Sequence, residues 1–120
     1  MKRDMELIIR LLKIIEERSA EDSGLEIHLS DVDDSLVQYN LGLISDAGLI
    51  KAINATSSGG EMYLPLKLTY SGHDFLDAAR NVTIVNKAKD IAQKQGMELF
   101  KLPIDIIKGL LVKAATEMLL

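Results

Sequence analysis

The chain has no cysteine and no tryptophan, only two prolines, and three tyrosines and two phenylalanines as its whole aromatic content. Without cysteine there is no disulfide framework, no thiolate metal site and no thiol nucleophile, which fits a reducing compartment and makes a cytoplasmic location the simplest expectation. No apolar run approaches the roughly 18 to 20 residues that cross a bilayer, and the N-terminus alternates charge with apolar side chains, unlike a signal peptide. No membrane association is expected. A third absence is local: from Ser19 to Ile50 there is no lysine or arginine, whereas Glu21, Asp22, Glu26, Asp31, Asp33, Asp34 and Asp46 are all acidic.

What is present is an aliphatic globular composition, 48% hydrophobic and 27% charged over 120 residues, with a net charge of -4. That length suits one domain with one core. We expect a single domain over residues 1–120, with a core in 1–72 and a helical extension in 73–120 that serves as an oligomerisation element.

Leu7, Ile8, Leu11, Leu12 and Ile15 recur at three- and four-residue steps, so Asp4–Arg18 reads as an amphipathic helix. Leu25–Leu29 alternates apolar with polar and reads as a short half-buried strand, with His28 facing outward. Ser30–Asp33 offers capping oxygens for a helix over Asp34–Ala47, closed by Gly48. Its inward face on a helical wheel is Leu36, Val37, Leu43, Ile44 and Ala47 with Asn40 among them, so the Asn40 amide needs a hydrogen-bond partner. Its outward face is Ser35, Gln38, Gly42 and Ser45, a small neutral surface on which another protein could pack.

Leu49–Asn54 and Leu64–Tyr70 flank a Ser- and Gly-rich tip, the pattern of a hairpin, with Pro65 at an edge or bulge position. Ser71 is expected to cap one long helix from His73 to Gln95. Its stripe of Phe75, Ala78, Ala79, Val82 and Val85 gives way to Ile84, Ala88 and Ile91 on nearly the opposite side. Pro103 then opens a last helix whose face includes Ile107, Leu111 and Met118. Two apolar faces on one helix need two partners, so Ile84, Ala88, Ile91, Ile107, Leu111 and Met118 are candidate contacts for a homodimer through the C-terminal helices.

The order helix, strand, helix ending in Asp46-Ala47-Gly48-Leu49-Ile50, hairpin, then Leu68-Thr69-Tyr70-Ser71-Gly72 resembles the winged-helix domains of bacterial regulators. Over nearly its whole length the chain also resembles an uncharacterised family of small bacterial and prophage proteins, a domain of unknown function. Met1 to Met5, the Ala47–Ile50 turn, Gly72–Arg80, Asn86-Lys87 and Leu102–Ile104 carry that resemblance. It implies an α+β, winged-helix-like fold followed by two C-terminal helices. The chain departs from the family where it has Val85 in place of an aromatic and Asn40 in place of histidine. Between Arg18 and Asp34 there is also no room for the positioning helix of a DNA reader.

DNA binding is the sharpest functional alternative, because a recognition helix and a wing enter grooves. The acidic stretch from Ser19 to Ile50 would repel phosphates, leaving Lys2, Arg3, Arg10, Lys51 and Lys67 as the cations that could form a patch. His73 with Asp77 offers too few ligands for a metal, and Gly59-Gly60 lacks the lysine of a phosphate loop. No nucleophile–base pair suggests itself. The expectation is a non-enzymatic interaction or regulatory module without a cofactor or metal, its protein partner unidentified, with a winged-helix transcriptional regulator as the alternative.

Overall fold

A computed structural model describes residues 1–119. They form two compact units, Met1–His73 and the residues from Asp74 onward. The fold is α+β, in the order α1 (Met5–Glu17), α2 (Asp34–Asp46), β1 (Ile50–Asn54), β2 (Tyr63–Leu68), α3 (Tyr70–Ala79), α4 (Val82–Lys94) and α5 (Ile104–Leu119).

In the first unit α1 begins where the periodicity begins. The Asp4 carboxylate accepts from the Leu7 N–H at 3.0 Å, satisfying one of the free donors of the first turn. Its apolar stripe of Leu7, Ile8, Leu11, Leu12 and Ile15 is buried, together with Val37, Leu41 and Ile44 of α2. Leu41 belongs to this core although the wheel reading left it out. The α2 helix ends in a Schellman turn. Gly48 takes φ 75°, the Leu49 N–H donates to Ile44 O at 2.9 Å and the Gly48 N–H to Ser45 O at 3.0 Å.

The hairpin pairs Ile50 with Leu68 and Lys51 with Lys67, then Ala52 with Pro65, so Leu66 is the extra residue of a bulge. Pro65 has no N–H to offer the ladder, and its carbonyl instead accepts from the Gly24 N–H at 2.8 Å.

Three expectations are corrected. Leu25–Leu29 joins no ladder, because its polar backbone groups are taken locally. The Arg18 guanidinium donates to the carbonyls of Leu25 at 2.7 Å and Glu26 at 3.2 Å, and the Leu25 N–H donates to Asp22 O at 3.1 Å. Only Ile27 of this segment is buried.

The helix after the hairpin starts at Tyr70 and is capped by Thr69, not Ser71: Thr69 Oγ1 accepts from the Gly72 N–H at 3.0 Å. It also stops at Ala79. Asn81 restarts the chain as the N-cap of α4, its Oδ1 accepting from the Ile84 N–H at 3.0 Å. An asparagine side chain competes well for backbone donors in this way, and the single long helix is two helices. Val82, placed on the inward stripe by the one-helix reading, is 73% exposed.

In the second unit α4 packs against α5. Ala88 and Ala92 bring the helices close, and Ile107, Leu111 and Ala114 fill the seam. Lys87 Nζ lies 3.4 Å from the Glu117 carboxylate.

Candidate binding cleft

Residues four apart on a helix share a face, so Asp34 and Gln38 lie above one another at the start of α2, with Ser35 and Tyr39 beside them. This face forms one wall of a cleft of about 570 Å³ in the first unit. The hairpin tip supplies Gly59, Gly60, Glu61 and Met62, and Glu26 and Met1 complete the lining. Three carboxylates line it, and no lysine, arginine or histidine does.

Gln38 fixes the relation of helix to hairpin. It is 4% exposed, and its Oε1 accepts from the Tyr63 N–H at 2.7 Å. A backbone N–H can only donate, so the carboxamide is oriented with Nε2 away from Tyr63. That Nε2 is buried and has no hydrogen-bond acceptor among the described residues. Leaving such a donor unmatched costs about 1–3 kcal/mol. One turn on, Gly42 lets the Tyr63 ring approach so closely that an added Cβ would lie 2.9 Å from its Cε2.

The outward face expected for Ser35, Gln38, Gly42 and Ser45 is therefore corrected. Ser35 is exposed and Ser45 half-buried, but Gln38 and Gly42 are buried against the hairpin. The wheel of α2 shows which residues align, and cannot show that the returning strand covers them.

His28 stands next to two of the cleft's carboxylates, with Nδ1 3.1 Å from Asp34 and Nε2 3.4 Å from Glu26. The hydrogen bond to Asp34, then the charge of Glu26, raises its pKa above the ordinary histidine value. A protonated His28 thus occupies the same carboxylates that an incoming cation would use.

The expected basic patch does not assemble. Arg10 forms a two-pronged ion pair with Asp31, at 2.9 and 3.0 Å, which raises the guanidinium pKa and lowers that of the carboxylate. Lys2 and Arg3 precede the start of α1, while Lys67 borders a concavity with Ile15, Arg18 and Ser19 around its end. The 13 residues of α1 put about 20 Å between those ends. Lys51 and Lys67 face each other across the hairpin, two like charges with no third cation beside them in the ladder.

The interface set divides as well. Ala88, Ile107 and Leu111 are already buried in the α4–α5 seam and cannot also meet a second copy without opening it. Ile84 and Ile91 are half-buried and Met118 is exposed. Among the described residues no three His, Asp or Glu side chains are placed to share a metal ion. No helix among them is long and apolar enough to cross a membrane.

Residues 2–98 match the family described as "Hypothetical protein (DUF2513)". The chain belongs to that family. The match spans the whole lining of the cleft except Met1, and stops short of α5. The DUF2513 chain is also similar to an "Uncharacterized protein" of Haemophilus influenzae (strain ATCC 51907 / DSM 11121 / KW20 / Rd). The two are 32% identical over 120 residues, covering 99% of each chain. No solved structure gives a significant match.

The sequence singles out Ser35 and Gln38 but does not bring Glu26, Asp34, Tyr39, Glu61 and Met62 together as one site. The four-residue step from Asp34 to Gln38 was legible. What was not legible is that the hairpin tip folds back over that step.

Proposed function

We propose that this DUF2513 protein is a non-enzymatic interaction module that docks a protein partner in the cleft between α2 and the hairpin tip. The observation that carries the reading is the open cleft of about 570 Å³, in which the exposed Ser35 and Glu61 and the half-buried Tyr39 and Met62 offer polar and apolar surface side by side. The lining also lacks a base matched to a nucleophile, which favours binding over catalysis. Duplex DNA is less well supported, because the phosphate backbone would meet Glu26, Asp34 and Glu61 at the cleft while the cations lie scattered.

The test is photo-crosslinking in cells. A photoreactive residue at Ser35, which is exposed and lines the cleft, is expected to capture a discrete protein adduct. The same group at Lys113, exposed on α5, is expected to capture none of it. No adduct from Ser35, or the same adducts from both positions, would refute the reading.

A further inference from the structure

We propose that the outer edge of β1 pairs antiparallel with the same strand of a second copy of this chain, joining two hairpins into one four-stranded sheet. This surface is separate from the cleft, none of whose lining residues lies in β1. It is also separate from the C-terminal helices.

The two edges of the hairpin are unequal. In an antiparallel ladder, residues opposite each other either exchange hydrogen bonds or turn their N–H and C=O to opposite edges. Tyr63, opposite Asn54, gives its N–H to Gln38, and Pro65, opposite Ala52, has its carbonyl on the Gly24 N–H. Both groups lie on the outer edge of β2, so Asn54 and Ala52 turn theirs to the outer edge of β1. The β2 edge is covered, since Ser23 Oγ donates to Leu66 O there as well, at 2.9 Å. The backbone groups of Ala52 and Asn54 meet no partner among the described residues. Such a row of free donors and acceptors is a template for another strand.

The side chains of that edge favour an identical strand. An antiparallel copy that sets Ala52 of each chain opposite Asn54 of the other makes four main-chain hydrogen bonds. The two-fold axis then falls on Ile53, and the two Ile53 side chains meet in a closely spaced pair with Cα atoms about 4.5 Å apart. Ile53 is 49% exposed in the single chain, an apolar β-branched side chain between the exposed Lys51 and Asn54. Lys51 falls opposite Ala55, so no like charges meet. Pairing Ala52 with Ala52 would instead set a lysine against each isoleucine and gain no apolar pair. Five residues of edge bury far less than the roughly 1,000 Å² of a stable interface, so the dimer is weak, with Kd on the order of 0.1–1 mM.

Sedimentation equilibrium of the full chain between about 20 μM and about 1 mM tests this. The weight-average mass is expected to rise from that of one chain to about 1.5 times that value or more at the top of the range. Ile53→Glu, at an exposed position, is expected to keep the chain monomeric by setting two carboxylates against each other on the axis. Because the chain has no cysteine, Ile53→Cys traps the pairing directly: Cα atoms that close can carry a disulfide, and mild oxidation at the high concentration is expected to join the two copies. Ser58→Cys, exposed on the hairpin tip and away from the axis, is expected to join them several-fold less. A chain that stays monomeric over the whole range would overturn the proposal. So would association that survives Ile53→Glu, or equal trapping at positions 53 and 58.

Discussion

Gly72→Ala is expected to destabilise the first unit by about 3 kcal/mol or more, although alanine is the best helix former and glycine among the worst. On propensity alone the exchange inside α3 would stabilise by about 1 kcal/mol. The geometry reverses the sign. A Cβ at Gly72 would lie 1.9 Å from the Leu49 carbonyl oxygen and 2.9 Å from its carbon. That oxygen is held in place, since it accepts from the Thr69 N–H at 3.0 Å. Thr69 Oγ1 in turn donates to Gly48 O at 2.6 Å and accepts from the Gly72 N–H. The clash therefore falls on backbone at the junction of the α2 exit, the end of β2 and the start of α3, where no side chain can swing aside. Urea unfolding followed by circular dichroism should show a lower midpoint with an unchanged slope. Gly42→Ala is the control. There the near atoms are the far end of the Tyr63 side chain, which can move, and the helix gain offsets much of the contact. Equal stability of Gly72→Ala and the wild type would contradict the packing described.

The second large effect is expected at Asn40, which is fully buried at the start of the core. Its Oδ1 accepts from the Asp4 N–H at 3.0 Å and its Nδ2 donates to Leu36 O at 2.9 Å. Both ends of the amide are used, and one of them fixes the N-cap residue of α1. Asn40→Asp keeps the shape and the acceptor but loses the donor, and it places a carboxylate in a site built for a neutral group. The cost expected at neutral pH is about 2–3 kcal/mol. Burial raises the folded-state pKa of the new carboxyl above its unfolded value, so the folded state binds the extra proton. The penalty should therefore shrink as pH falls toward about 4 and grow as pH rises. Stability measured across that range checks it. A loss that is constant with pH, or that grows on acidification, would contradict the buried neutral role.

Much of this was legible because local rules and tertiary structure agree. The α1 stripe, the α2 end at Gly48 and the bulged hairpin at Pro65 each follow from residues within a few positions of one another. So does the demand for a partner at Asn40, although its partner, Asp4, lies 36 residues away. The errors arose where two local rules compete or where distant segments decide. At Asn81 an apolar period that continues through the position competes with a side chain able to cap, and the cap prevails. At Leu25–Leu29 the alternation is real, but a strand needs an edge to pair with, and Arg18 takes the carbonyls first. At Gln38 and Gly42 the wheel places the residues together, and only the position of Tyr63 reveals that the face is covered. Thr69 and Gly72 show the reverse case. Thr69, quoted for the winged-helix resemblance, and Gly72, quoted for the family resemblance as well, each have a mechanical reason, one capping α3 and the other clearing space for Leu49.

The central claim is that the functional surface is the acid-lined cleft and not the cations of the hairpin. Chemical-shift mapping of the isotope-labelled full chain at low salt tests it directly, with the partner captured from Ser35 in one titration and random duplex DNA in another. The account predicts that the partner shifts the amides of Asp34, Ser35, Tyr39 and Gly59–Met62, and that duplex shifts nothing. Saturable shifts at Lys51 and Lys67 with duplex, falling steeply as salt is added, would contradict it.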